Sequence, residues 1–102
     1  MKQIKEQEAI FSTIFRTKPG LVMMELWKNE GRSYSSKLAK QADCTYSHIV
    51  KIINRLEKAK IITSIKDGRI RKIELTEKGF KIANLIAQID SLLKDENHEN
   101  RL

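Results

Sequence analysis

The chain has 102 residues, with 20 Lys+Arg against 13 Asp+Glu, a formal net charge of +7 and a pI near 9.7. That length suits one domain with one modest core, and the basic balance favours polyanions such as nucleic acid. A single cysteine, Cys44, excludes an intramolecular disulfide framework; the start MKQIKEQEAI lacks a signal peptide's apolar core, and no apolar run approaches the roughly 18 residues that span a bilayer, so a cytoplasmic protein is expected.

Residues 2 to 16 read as a helix whose apolar face, Ile4, Ile10, Phe11, Ile14 and Phe15, strengthens toward its end. It either covers the core or offers Phe11, Ile14 and Phe15 to a second subunit. Thr17-Lys18-Pro19-Gly20 interrupts the pattern, because proline disfavours helical geometry before it and suits the first turn of the helix that follows. That helix, from about Pro19 to Lys28, is apolar on more than one side, and Gly31 is placed to cap it in a left-handed conformation. Ser33 to Ser36 offer hydroxyl N-caps for a short helix, roughly Ser36 to Gln41, with Leu38, Ala39 and Ala42 facing inward.

After the turn Asp43-Cys44-Thr45, Thr45 is the expected N-cap of the stretch TYSHIVKIINRLEKAKII. Ile49, Ile52, Ile53 and Leu56 recur at i, i+3, i+4 and i+7, which aligns them on one helical face. The opposite arc carries Ser47, Lys51, Asn54 and Lys58, with His48, Val50 and Arg55 at its borders. Two β-branched runs then flank Asp67-Gly68, a hairpin signal. With Asp67 and Gly68 in a type I′ turn, Lys66 faces Arg69, Ile65 faces Ile70 and Ile62 faces Ile73, so Ile62, Ile73 and Leu75 share the core side. Lys66, Arg69, Arg71 and Lys72 gather charge at or near the tip. Thr76 caps a last helix running to about Lys94, in which Ile82, Ile86, Ile89 and Leu93 form a heptad-like seam.

Two short helices joined by a tight turn, the second with a polar outer face, and a cationic hairpin behind them make a winged helix-turn-helix pattern. The charge agrees: between Lys28 and Lys72 twelve basic residues meet four acidic ones, a net +8, leaving −1 for the flanks. The expected fold is mainly α with a two-stranded wing and a C-terminal dimerisation helix. It forms a single domain over 1–94, with a DNA-binding core at 17–76, the dimerisation helix at 77–94 and a frayed polar tail at 95–102. The tail's His98, with His48 and Cys44, gives no convincing metal-ligand set, and no catalytic motif stands out, so neither an enzyme nor a cofactor is expected.

The segment YSHIVKIINRLEKAKII and the run DGRIRKIELTEKG resemble the MarR-type winged-helix transcription regulators, over roughly residues 19 to 80. Arg55-Leu56-Glu57, Ile61-Ile62, Asp67, Arg69 and Leu75 to Gly79 carry the resemblance. It implies that Arg69 reaches into a minor groove. The family usually continues beyond the wing into two helices, whereas this chain has room for one, which counts against the family's small-molecule effector pocket and is similar to compact archaeal and viral DNA-binding proteins. The expected partners are double-stranded DNA and a second copy of the chain. Candidate DNA contacts are Ser36, Thr45, Tyr46, Ser47, His48, Lys51, Asn54, Arg55, Lys58, Lys66, Arg69, Arg71 and Lys72; candidate dimer contacts are Phe11, Ile14, Phe15, Ile82, Ile86, Ile89 and Leu93. Two other functions fit the same pattern, a non-specific architectural DNA-binding protein and a protein-interaction subunit of a larger complex.

Overall fold

A helix with one fully apolar stripe needs partners on that stripe, and the four residues Ile49, Ile52, Ile53 and Leu56 find them: each is at most 1% exposed in the computed structural model, which describes residues 2–94. The polar tail 95–102, with His98, and the side chain of Ile4 lie outside the described residues. In chain order the elements are α1 (Lys2–Ile14), α2 (Thr17–Lys28), β1 (Arg32–Tyr34), α3 (Ser35–Gln41), α4 (Tyr46–Lys58), β2 (Ile62–Asp67), β3 (Ile70–Leu75) and α5 (Glu77–Lys94). The core joins the stripe of α4 to Val22, Met23 and Leu26 of α2, Leu38 and Ala39 of α3, Ile62, Ile73 and Leu75 of the hairpin, and Ala83 of α5. Burying one Ile or Leu side chain contributes about 1.5–3 kcal/mol, so the stripe holds α4 to the rest of the domain.

Three helices end in the same way. At the ends of α2, α3 and α4, Glu30, Asp43 and Lys60 take φ values of 60, 52 and 63°. In each case the next N–H reaches back five residues: Gly31 to the Leu26 carbonyl, Cys44 to Ala39 and Ile61 to Leu56, at 2.7–2.9 Å. These are Schellman motifs, which satisfy carbonyls that a helix end leaves open. The left-handed cap after α2 is therefore Glu30, and Gly31 follows it at φ 84°. A Cβ at Gly31 would also meet the Phe80 ring, which would have to move.

The sheet differs from the sequence reading in two respects. It has three strands in the order β1-β3-β2, since Arg32, Ser33 and Tyr34 pair antiparallel with Glu74, Ile73 and Lys72. Ser33 is thus a strand residue and Ser35 the buried first residue of α3, whose N-cap position, Tyr34, makes no side-chain capping bond. The hairpin register is also displaced: Asp67 opposes Ile70, Lys66 opposes Arg71 and Ile62 opposes Leu75. Gly68, at φ 64°, and Arg69 occupy the two central turn positions, the pattern of a type II′ turn with glycine first, whereas Asp67 lacks the positive φ of a type I′ turn. The displacement is by two residues, so every side chain keeps its face.

Thr76 caps α5 by accepting from the Gly79 N–H at 3.0 Å, and its hydroxyl reaches the Lys60 carbonyl at 2.6 Å. Gly79 is buried against the Ile61 carbonyl, in a space that any Cβ would overlap. The start of α5 is thereby fixed to the junction between α4 and the wing.

Candidate nucleic-acid interface

Thr45 sets the start of α4: its hydroxyl accepts from the His48 N–H at 3.1 Å, replacing one of the partners that a first helical turn lacks. The preceding turn is braced by Lys18, whose Nζ donates to the Asp43 carbonyl at 2.9 Å. With its apolar stripe inward, α4 turns Tyr46, Ser47, His48, Lys51, Asn54, Arg55 and Lys58 outward, and all are exposed. Ser36 is exposed in the first turn of α3, and the Tyr46 hydroxyl lies 3.4 Å from that of Ser35.

These residues divide by position around the helix. Ser47, Lys51, Asn54 and Lys58 lie opposite the stripe. On one border Arg55, with Lys58, lines a cleft of about 360 Å³ that also takes in Ile10, Thr13 and Arg16 near α1. Toward the other border, Asn54 and Glu57 are bonded to the wing. There Arg71 Nε donates to Ser64 Oγ at 3.2 Å, and one of its terminal nitrogens donates to Asn54 Oδ1 at 3.1 Å and to Glu57 Oε1 at 3.0 Å. Ser64 Oγ in turn donates to the Glu57 carboxylate, 2.9 and 3.0 Å from its two oxygens. The charge of Arg71, expected at the tip, is therefore met by Glu57 within the chain.

The cations of the wing differ in availability. Lys72 is paired with Asp67 at 3.2 Å. Lys66 and Arg69 are exposed and make no ion pair among the described residues, Arg69 from the turn itself. The sequence reading missed Glu57 and Ser64 as members of this face. A signal for them existed: Asn54 and Glu57 are i, i+3 on α4, and Ser64 and Arg71 share one side of the hairpin.

No family model matches the chain. An uncharacterized protein of Archaeoglobus fulgidus is 32% identical over 63 residues, 62% of this chain and 66% of that relative, so the match spans just under two thirds of the relative's length. A crystal structure of a protein from Archaeoglobus fulgidus is similar with a TM-score of 0.75 at 27% identity, over 81% of this chain and 94% of that one. The MarR family transcriptional regulator of Silicibacter pomeroyi is similar in structure with a TM-score of 0.69 at 21% identity, over 96% of this chain and 67% of that one. Two helices joined by the turn at Asp43-Cys44-Thr45, a hairpin behind them and these likenesses give the chain the winged helix-turn-helix fold.

Proposed function

We propose that this chain is a dimeric, sequence-specific double-stranded DNA-binding regulator of transcription that acts without catalysis in the cytoplasm, on the nucleoid. The observation that carries this reading is the exposed outer arc of α4, Ser47, Lys51 and Asn54, tied to the wing through the Asn54–Arg71 bond, together with the exposed Lys66 and Arg69 of the wing. Hydroxyl, amide and ammonium groups can read base edges in a major groove, while the wing grips the flanking phosphates or minor groove. That a protein of the same fold is named a MarR family transcriptional regulator supports it.

The dimer reading rests on apolar residues that the fold leaves uncovered. Leu92 and Leu93 are 71% and 76% exposed near the end of α5, and Phe11 and Phe15 are 65% and 62% exposed on α1. A groove of about 420 Å³ lies between Ile14, Leu21, Met24, Ile89 and Leu93. A second copy would cover this face. Ile14, Ile82 and Ile86 are half-buried against their own core, so the expected seam is partly spent within the chain, and the exposed share begins at Ile89. Selection of bound duplexes from a random pool at two salt concentrations tests the DNA reading: one palindromic motif is the expected result, and a featureless pool rejects sequence specificity.

A further inference from the structure

Arg71 stands at the centre of a closed set of bonds that binds the wing to α4. Its guanidinium has donors only, so the Asn54 atom facing it must be the carbonyl Oδ1, and the amide orientation follows from chemistry. Glu57 holds the guanidinium by a charge-assisted bond, and Ser64 links Glu57 to Nε, so Arg71 is fixed from three sides. An ion pair this exposed adds little to stability, so its geometric effect matters more. That effect falls on Asn54, an exposed residue whose Nδ2 makes no hydrogen bond among the described residues and keeps both of its donors.

We infer that Arg71 is a positioning residue for base selection: by holding Oδ1 of Asn54 toward the wing, it makes Asn54 read through its Nδ2 donors and prefer guanine to adenine at one base pair. A free asparagine recognises adenine with both ends of its amide, accepting from N6 and donating to N7. With one lone pair of Oδ1 taken by Arg71 and the amide plane fixed by that bond, Asn54 loses the freedom to align both ends of its amide on adenine. Guanine, which presents O6 and N7 as acceptors, suits the two remaining donors. The inference rests on the proposed placement of α4 in a major groove, and it makes the wing part of the specificity of a helix it does not belong to.

The test is selection of bound duplexes with the full chain, comparing wild type with Asn54→Ala, Arg71→Lys and Arg71→Met, each checked for folding by thermal unfolding. Asn54→Ala identifies the base pair by flattening its preference. Arg71→Lys keeps the charge but cannot hold Asn54, Glu57 and Ser64 together. At that base pair, Arg71→Lys and Arg71→Met should both lower the guanine-to-adenine ratio by roughly tenfold, with the rest of the motif unchanged. If Arg71→Met does not fold, Arg71→Lys and Ser64→Ala carry the test. The inference is overturned if Arg71→Lys keeps the wild-type preference while Arg71→Met weakens all duplexes equally, which is the behaviour of a phosphate contact. Absence of any selected motif for wild type overturns the functional reading, and the inference with it; a motif that Arg71→Lys leaves intact overturns the inference alone.

Discussion

On the proposed reading, Lys51 and Arg69 would have two roles that charge alone does not distinguish. Lys51 is exposed on the side of α4 opposite the buried stripe, whereas Arg69 is exposed in the turn of the wing. Lys51→Ala should relax base preference, at a cost of about 1–3 kcal/mol for the favoured sequence if its contact is bidentate. Equal losses on selected and random duplexes would reject its reading role. Arg69→Ala should weaken binding to all sequences alike and reduce the slope of log affinity against log salt by about 1; an unchanged slope would exclude a phosphate contact. From sequence Arg71 is indistinguishable from Arg69, because both are arginines close to a glycine turn. Alternation along β3 puts Arg71 on the side of Ile73, toward α4, in either register, but only the fold shows that Glu57 waits there to neutralise it.

At the scale of elements, hydrophobic periodicity was enough wherever an element buries one face. The four-residue stripe located α4, and period-two alternation gave the core side of the hairpin even though its register was wrong. A displacement of two residues preserves facing, so Ile62, Ile73 and Leu75 stay inside in either register. β1 was not legible because three residues, Arg32-Ser33-Tyr34, show no alternation, and their hydroxyls mimic a helix cap; the strand exists because β3 offers an edge. Gly79 illustrates a residue whose type was visible but whose reason was not. In sequence it is a helix-weakening glycine in the first turn of α5, whereas in the fold it admits the Ile61 carbonyl. Gly79→Ala should therefore destabilise the domain by about 1–3 kcal/mol despite alanine's better helix propensity, read as a lower midpoint in chemical denaturation. A gain in stability would show that the junction between α4, the wing and α5 can relax.

For the whole molecule the question is what covers the far half of α5. Its first half packs on the core through Ile82, Ala83 and Ile86 while Leu85 faces outward, and farther along Ile89, Leu92 and Leu93 are exposed. Water-exposed leucines in isolation are ordinary; several on one helix beside Phe11, Phe15 and an apolar groove form a patch of the kind that marks an interface. Because Leu93 is so exposed in the single chain, Leu93→Glu should leave the fold of each subunit intact while placing a charge in the covered face of the dimer. Sedimentation at micromolar concentration should then show a dimer for wild type and a monomer for the variant. Two joined subunits on a two-fold site gain from the second binding event being intramolecular, so the variant should bind a palindromic duplex at least tenfold more weakly, at about the affinity of wild type for a half-site. A wild-type monomer would reject the dimer itself. A variant that stays dimeric would place the interface elsewhere, leaving the exposed end of α5 to some other surface.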